Sequence, residues 1–517
     1  MLTSLADYLD KGASLGRDRP CLTLGDRTLS YGEAQDLSFS VARALHRSGV
    51  RPGDKVGILS ANNPVAYASL FGIARRGAVW CPINPRNEAD ENRNLLELID
   101  CSCLIFQRGF EPLVRRIAAQ LPKLTVLVCL DAELEGVPSF EAWLAAAADD
   151  PDCPALAAPP DDVAVIWGTS GTTGRPKGVM LTVRNIEMRS ATTLWAYPFE
   201  GPPVFLAMSP LTHAAGLIGL PLLALGARMI VMAKPDLSEF LRLVEHHRVT
   251  HSFLPPTLIY LLLRHEGLAG ADLSSLQCLL YGSAPISADR LEEALNAIGP
   301  VMAQMFGQSE APLMTVLSPR DHFNADGTVA RQRLASAGRP APLVTLAIMD
   351  ADGRLLERGE RGEIVVRGAV VMHGYYRNPE ATAEVSRFGW HHTGDIGYLD
   401  DDGYLFIVDR AKDMIITGGF NVYSAEVEQA LMAHPAVRDC AVVGLPDDKW
   451  GERVTAVVVV NPGAKPGPDE VIAFVKRRIG SVKAPKQLEI WPELPRSVIG
   501  KVLKTDVRAR LMAGVTG

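Results

Sequence analysis

The sequence predicts a mixed fold. A large N-terminal domain combines two α/β subdomains with a small β-barrel-like subdomain, and a small α+β C-terminal domain follows. Three observations carry this expectation. Between residues 30 and 83, helical periodicity alternates with short apolar runs, the pattern of a sheet with helices on its faces. After Gly338 the texture changes to short β-rich segments separated by Gly and Asp turns. From Glu426 it changes again, to helix, strand, strand, helix over a stretch of domain size.

Each element has a local reason. Ser30-Tyr31-Gly32-Glu33 forms a capping box, Ala34, Leu37, Val41 and Leu45 recur at helical spacing, and Gly49 closes the helix. Pro52-Gly53-Asp54 turns the chain into a buried strand at Val56-Gly57-Ile58-Leu59. A second unit repeats the pattern, with a helix over 66–76 and a strand over 78–82. The stretch 145–162 is rich in Ala, Pro and Asp and reads as a linker inside the large domain. The most apolar stretch, 214–233, is interrupted by Pro221 and Arg228 and carries Gly216, Gly219 and Gly226; it reads as core strand plus loop rather than a membrane span. Strands are expected at 344–349, 362–367 and 404–408, and later at 437–443 and 454–460. Helices are expected at 426–433 and 468–479. The domains are expected to divide near Asp409, as 1–409 and 410–517.

Composition narrows the function. A chain of 517 residues spans a few domains at about 100–200 residues each. The 47% hydrophobic and 21% charged residues suit a chain with a real core. A formal net charge of -7 argues against a nucleic-acid binder, which needs clustered Lys and Arg to neutralise phosphates. The eight cysteines are scattered, and only Cys101 and Cys103 are close, without a second pair to complete a zinc site. Buried reduced thiols are expected. The N-terminus has no basic flank before an apolar run, so no signal peptide is expected. A cytoplasmic protein without a transmembrane segment, a monomer or homodimer, is the expectation.

The chemistry starts at a strand candidate, 162–167, which runs into Gly168-Thr169-Ser170-Gly171-Thr172-Thr173-Gly174-Arg175-Pro176-Lys177-Gly178. Glycines let the backbone turn and present N–H groups to an anion, hydroxyls add short donors, and Lys177 adds a full charge. These parts suit a triphosphate. The order is not that of the common P-loop, because Arg175 and Pro176 separate Gly174 from Lys177.

The segment Ser170 to Gly178 resembles the phosphate-binding signature of the adenylate-forming superfamily, which contains acyl-CoA synthetases, peptide-synthetase adenylation domains and beetle luciferases. The resemblance runs from the Tyr31 region to Lys504, with several motifs in the family's order. It implies ATP, Mg2+ and coenzyme A as cofactor and co-substrates, a carboxylic acid as substrate, and a mobile C-terminal domain.

By that resemblance, Thr169, Ser170, Gly171, Thr172, Thr173, Gly174 and Lys177 would hold phosphates. Pro210-Leu211-Thr212-His213-Ala214-Ala215-Gly216 matches the segment whose histidine lies near the reacting carboxylate, so His213 would orient the acid. Alone, a histidine in an apolar run is more often a satisfied core residue, and Thr212 stands where the family often has an aromatic. Gly282, Ser283 and Ala284 would line the adenine and acyl pockets, although Tyr281 to Pro285 reads equally as a strand-to-helix turn. In Gln304-Met305-Phe306-Gly307-Gln308-Ser309-Glu310, Phe306 would stack on adenine and Ser309 would meet the α-phosphate. Glu310 would hold Mg2+, a hard cation that takes carboxylate and phosphate oxygen together. Phe306 and Ser309 replace the more usual Tyr and Thr. The segment otherwise reads as a helix start capped by serine.

Thr393-Gly394-Asp395 and Asp409-Arg410-Ala411-Lys412-Asp413 match two further motifs. Asp395 would accept from both ribose hydroxyls, Arg410 would reach ribose or phosphate, and Lys412 would sit at the hinge. In the C-terminal match, Pro495 to Lys504, Lys501 would reach the carboxylate and α-phosphate. Lys234 and Gly419 fall where relatives contact coenzyme A.

The expectation is therefore an AMP-forming acid–thiol ligase. The small and apolar residues 214–219 favour a fatty or aryl acid over one carrying a second charge. An enzyme loading a carrier protein is the nearest alternative; the chain's end soon after Lys504 favours free coenzyme A. A serine hydrolase using Ser309 in Gly307-Gln308-Ser309-Glu310-Ala311 is a distant one, because Ala311 replaces the second glycine of G-x-S-x-G.

Overall fold

The computed structural model describes residues 4–150, 159–169, 176–496 and 502–515. Among them lie four sheets. A seven-stranded sheet has the order Gly374–Tyr375, Lys177–Thr182, Val163–Thr169, Val79–Ile83, Lys55–Leu59, Cys101–Phe106 and Val126–Cys129. It is parallel from Val163–Thr169 onward, and its first two strands are antiparallel additions. A nine-stranded sheet has a parallel centre from Pro20–Leu24 through Arg228–Val231, Val204–Ala207, His251–Phe253 and Cys278–Gly282 to Met302–Gln308. Antiparallel strands close both of its edges. One apolar cluster joins the two sheets through the helices Ala6–Ser14, Tyr31–Arg47, Pro64–Arg75 and Ala214–Leu223. This is the α/β arrangement that the alternating apolar runs predicted.

The capping box forms as expected: the Glu33 N–H donates to Ser30 Oγ at 3.1 Å, and the Ser30 N–H donates to Glu33 Oε2 at 2.7 Å. The strands Thr345–Met349, Gly362–Arg367, His391–Leu399 and Leu405–Arg410 form an open four-stranded antiparallel sheet. The C-terminal unit is a five-stranded sheet covered by Ser424–Met432, Pro468–Lys483 and Lys504–Val515. The cysteines 21, 81, 101, 103, 129, 278 and 440 are free and buried; Cys153 lies outside the described residues. Among the described residues no helix is long and apolar enough to cross a membrane.

The expectation of strand plus loop over 214–233 is corrected. Ala214–Leu223 is a helix, followed by the strand Arg228–Val231. Pro221 inside it cannot donate to the carbonyl four residues back, which leaves Leu217 O without its helical donor. The buried Arg189 guanidinium donates to that oxygen at 2.5 Å. The Tyr67 hydroxyl donates to Gly216 O at 2.6 Å, and the Tyr31 hydroxyl lies between Ala227 O at 2.8 Å and Leu223 O at 3.0 Å, near the end of the helix. Tertiary donors thus satisfy a helix that local propensity disfavours. Its glycines are sites of close packing: a Cβ on Gly216 would lie 2.0 Å from the Leu211 carbonyl oxygen, and one on Gly219 would lie 2.6 Å from the Met229 methyl.

These two contacts differ in how far they can yield, and stability should follow. Gly216→Ala meets fixed backbone and should cost about 1–3 kcal/mol. Gly219→Ala meets the end of a flexible side chain and should cost less than about 1 kcal/mol. Urea unfolding midpoints of the two variants, compared with the unsubstituted protein, test the order.

Candidate functional site

The site is built where parallel strands end, the place where open α/β sheets expose backbone and loops to ligands. Val163–Thr169 ends at Thr169, paired with Lys177 across an antiparallel hairpin. Of the phosphate-loop candidates, Thr169 and Lys177 thus share one hairpin mouth, while Ser170, Gly171, Thr172, Thr173 and Gly174 lie outside the described residues. Gly168 packs under Leu95: a Cβ there would lie 2.5 Å from Leu95 Cδ2, so a larger residue would have to displace that side chain.

In the other sheet, Gly282 ends its strand beside Met305 on the parallel neighbour. Its Cβ would lie 2.4 Å from Met305 O, so the two backbones meet with no side chain between them. Ser283 follows with φ +67°, and Ser283 and Ala284 are exposed. Gln304, Met305, Phe306 and Gly307 lie on Met302–Gln308, with Phe306 half-buried.

The alternative of a helix start over residues 304–310, the weaker reading of that segment, does not hold. Ser309 and Glu310 form the tip of a hairpin in which Gln308 pairs with Ala311. A Cβ on Gly307 would lie 2.4 Å from Pro312 O, and this close crossing permits the bulge between Phe306 and Gln308. The same geometry removes the hydrolase reading: a nucleophile elbow needs a strand-to-helix turn, and Ser309 sits between two strands.

Glu310 faces the Thr169–Lys177 hairpin through a residue that the sequence reading did not single out. The Tyr375 hydroxyl donates to Glu310 Oε1 at 2.8 Å, and Lys177 Nζ lies 4.7 Å from the centre of the Tyr375 ring. Burial, and then the Glu310 carboxylate, push the Tyr375 phenol well above its ordinary range, so it remains a neutral donor. The available signal was the pair Tyr375-Tyr376, in which Tyr375 ends the strand Gly374–Tyr375 and Tyr376 opens the turn after it. Period-two alternation sends the two rings to opposite faces, and Tyr376 lies under Lys55 and Arg377 instead.

The hairpin also reaches the third sheet. Gln308 Nε2 donates to Thr393 O at 2.9 Å and to Asp395 Oδ2 at 3.1 Å. Asp395 is cross-strand partner to Arg410, whose Nε lies 2.7 Å from Asp395 Oδ1. Asp395 is buried and Arg410 half-exposed, so the pair has a closed side and an open one. His391, also buried, lies with Nε2 3.4 Å from Gln308 Oε1. Burial holds its imidazole below the ordinary histidine range. Gln308 and His391 were missed because one fell at a variable motif position and the other just before Thr393-Gly394-Asp395.

His213 caps the start of Ala214–Leu223, 3.0 Å from the Thr212 hydroxyl through Nδ1 and edge-on to Trp167 at 6.2 Å. Burial, followed by the nearby Arg86 charge, lowers its pKa to about 4. At neutral pH it is an uncharged imidazole beside the strand Val163–Thr169.

Three candidates stand apart from this cluster. Lys234 is exposed beyond Arg228–Val231. Lys412 is exposed in the turn Ala411–Asp413. Gly419, with Gly418, makes the turn between Ile415–Thr417 and Phe420–Val422, where both have positive φ. Lys501 lies outside the described residues. Among the described residues no group of three or more His, Cys, Asp or Glu could hold a metal by itself. Glu310 is a single carboxylate with one oxygen already accepting from Tyr375. That donor set suits a magnesium ion carried in largely by phosphate oxygens, and does not suit a resident metal held by protein alone.

The family model for AMP-binding enzymes matches residues 9–376, and that for the AMP-binding enzyme C-terminal domain matches residues 426–501. A medium/long-chain-fatty-acid–CoA ligase of Mycobacterium tuberculosis is 37% identical, over 96% of this chain and 88% of that protein. A feruloyl-CoA synthase of an Amycolatopsis species is 38% identical over 94% of each chain. The solved structure of an amide bond synthetase from Marinactinospora thermotolerans is similar with TM-score 0.88 and 31% identity, covering 98% of this chain and 99% of that one. With its length matched in this way, and its site assembled at the mouths of two parallel sheets, the chain belongs to the AMP-binding enzymes of the adenylate-forming superfamily.

Proposed function

We propose that the chain is an acyl-CoA synthetase: it joins a largely apolar carboxylic acid, fatty or aryl, to coenzyme A through an acyl-adenylate, releasing pyrophosphate and AMP. The observation that carries this reading is the connected cluster from Lys177 through Tyr375, Glu310 and Gln308 to Asp395 and Arg410. It aligns a cation, a carboxylate and a ribose-type acceptor across three sheets. Its relatives support the acid class, being a fatty-acid ligase and a synthase of an aryl acid thioester.

In the first half-reaction a carboxylate oxygen of the acid attacks the α-phosphorus of ATP. A carboxylate–phosphorus bond forms, and the bond to the β-phosphate oxygen breaks. Two anions must meet, so the barrier is electrostatic and orientational, and no protein nucleophile is required. Thr169, Ser170, Gly171, Thr172, Thr173, Gly174 and Lys177 hold the departing phosphates. Gly282, Ser283, Ala284, Gln304, Met305 and Gly307 border the adenine, with Phe306 against its face. Ser309 donates to the α-phosphate. Asp395 and Arg410 hold the ribose. Glu310 supplies the protein oxygen for Mg2+, which when bound spreads the negative charge of the phosphates. Neutral His213 orients the carboxylate without pairing with it as a cation would, and the apolar Ala214–Leu223 walls the acyl group. Lys501 neutralises the charge where carboxylate and α-phosphate meet.

In the second half-reaction the thiol of coenzyme A, its proton lost, attacks the acyl carbon, and AMP leaves. The small domain turns about Lys412 between the two steps, with Lys234 and Gly419 on the coenzyme A side. Incubating purified protein with a panel of fatty and aryl acids, ATP, Mg2+ and coenzyme A, and following pyrophosphate and thioester, tests the whole reading. Strict preference for acetate or malonate would overturn the acid class. Thioester formed only on a carrier protein would overturn the acceptor.

Two substitutions test the assignments. Asp395→Ala removes charge-assisted ribose hydrogen bonds worth about 1.5–3 kcal/mol each. It should raise the KM for ATP on the order of 10- to 100-fold while circular dichroism stays unchanged; an unaltered KM would exclude the ribose role. Lys501→Ala should nearly abolish acid-dependent pyrophosphate release, yet make thioester from synthetic acyl-adenylate and coenzyme A at close to the original rate. Equal slowing of both halves would leave Lys501 a structural residue.

A further inference from the structure

We infer that Tyr375 is a positioning residue that holds Lys177 and Glu310 apart, so that the cation remains available to phosphate and the carboxylate to the metal. This rests on the nucleotide reading above and adds a residue to it. The evidence is a three-layer arrangement. Lys177 Nζ lies over one part of the phenol ring, 4.7 Å from its centre, and the hydroxyl of the same ring grips Glu310 Oε1 at 2.8 Å. Among the described residues Lys177 has no carboxylate within ion-pairing distance, although Glu310 is joined to the same ring. Opposite charges brought into direct contact in a partly dry site would neutralise each other, and both would then be lost to the substrate. An aromatic ring prevents that contact while still attracting the ammonium through its face and fixing the carboxylate through its hydroxyl.

The rest of the segment makes the ring a rigid spacer. Tyr375 pairs with Val179 and Gly374 with Met180, on the strand that begins with Lys177. The Met372 N–H donates to Glu310 O at 2.7 Å, so the same short stretch also holds the Glu310 backbone. The Tyr375 N–H donates to Thr382 Oγ1 at 2.9 Å, and the Thr382 hydroxyl donates to Asn378 O at 2.8 Å. The Tyr375 side chain is buried. A residue placed only to fill space would need neither the hydroxyl nor a register tied to both charged partners.

The test is the binding of a fluorescent ATP analogue, with EDTA and across a magnesium titration, together with pyrophosphate release. Tyr375→Phe keeps the spacer and the ring face but loses the hydroxyl. Analogue binding in EDTA should stay within about twofold of the original, while the magnesium concentration for half-maximal pyrophosphate release rises about tenfold. Tyr375→Leu removes the spacer, and Lys177 should fall onto Glu310. Binding in EDTA should then weaken about fivefold or more. Adding Glu310→Gln to Tyr375→Leu takes away the anion that captures Lys177 and should restore binding in EDTA. That rescue is not expected of a residue that merely packs. Thermal melts identify any variant that fails to fold, and the Phe variant, which conserves shape, still decides the hydroxyl's role. If Tyr375→Leu binds the analogue as tightly as the unsubstituted protein while Lys177→Ala binds it weakly, the spacer is overturned and the nucleotide reading stands. If Lys177→Ala also binds it undiminished, the nucleotide reading of Lys177 falls, and the spacer with it.

Discussion

The close crossing at Gly307 is the constraint on which the site depends. The hairpin around Ser309 and Glu310 can close only because no side chain stands between Gly307 and the carbonyl of Pro312. Once closed, it projects alternate residues toward two other sheets. Phe306 packs among the apolar residues of the third subdomain, Gln308 reaches Asp395, and Glu310 reaches the Tyr375 segment of the seven-stranded sheet. A side chain at position 307 would move all of these together. The nucleotide reading therefore concerns one joint among sheets more than a set of separate contacts.

Much of this was legible in the sequence where a local rule decides the structure. The capping box at Ser30, the alternating helices and strands up to residue 83, and the β-rich texture after Gly338 all reflect periods and caps that neighbouring residues enforce. The chemistry-bearing motifs were legible because their residue types are unusual together. What was not legible depended on distant partners. Ala214–Leu223 reads as a poor helix until Arg189 takes up the Leu217 carbonyl that Pro221 orphans. Tyr375 reads as an ordinary strand aromatic until Glu310 arrives from another sheet. In residues 304–310, a hydroxyl before an acid suggested a capped helix, whereas the tight turn of antiparallel strands won.

A second buried network joins the two halves of the chain. The Asp409 carboxylate accepts from the Ser424 N–H, from the Ser424 hydroxyl at 3.0 Å and from the Ala425 N–H at 3.4 Å, at the start of Ser424–Met432. An anion at a helix N-terminus is favoured by the helix dipole and its free donors. Lys504, from the last helix, donates to Ser424 Oγ at 2.6 Å and pairs with Glu428 at 2.8 Å. Burial pushes the Glu428 carboxyl up, against the pull of Lys504. Burial also opposes the Lys504 charge, but Glu428 and Asp409 more than offset this and leave its pKa raised. Buried charges so linked tolerate the loss of one member badly, because the partner is left desolvated and alone.

This network constrains how the proposed hinge can work. Asp409 and Arg410 are consecutive on one strand and face opposite ways: Arg410 is held by Asp395 of the large domain, and Asp409 by the first turn of a helix in the small one. The chain is therefore gripped from both sides up to residue 410. The first residues without such a grip are in the turn Ala411–Asp413, where Lys412 is exposed. A rotation of the small domain that began there would carry Ser424 past Asp409. Either the axis passes close to the Asp409 carboxylate, so that its hydrogen bonds pivot without breaking, or the rotation must break a buried charge-assisted cluster at every turnover. The first route has the lower barrier, because an uncompensated buried carboxylate costs several kcal/mol while a pivoting one keeps its donors. A hinge at Lys412 would therefore have its axis set by the Asp409 carboxylate beside it, with Lys412 supplying the backbone freedom to turn about it.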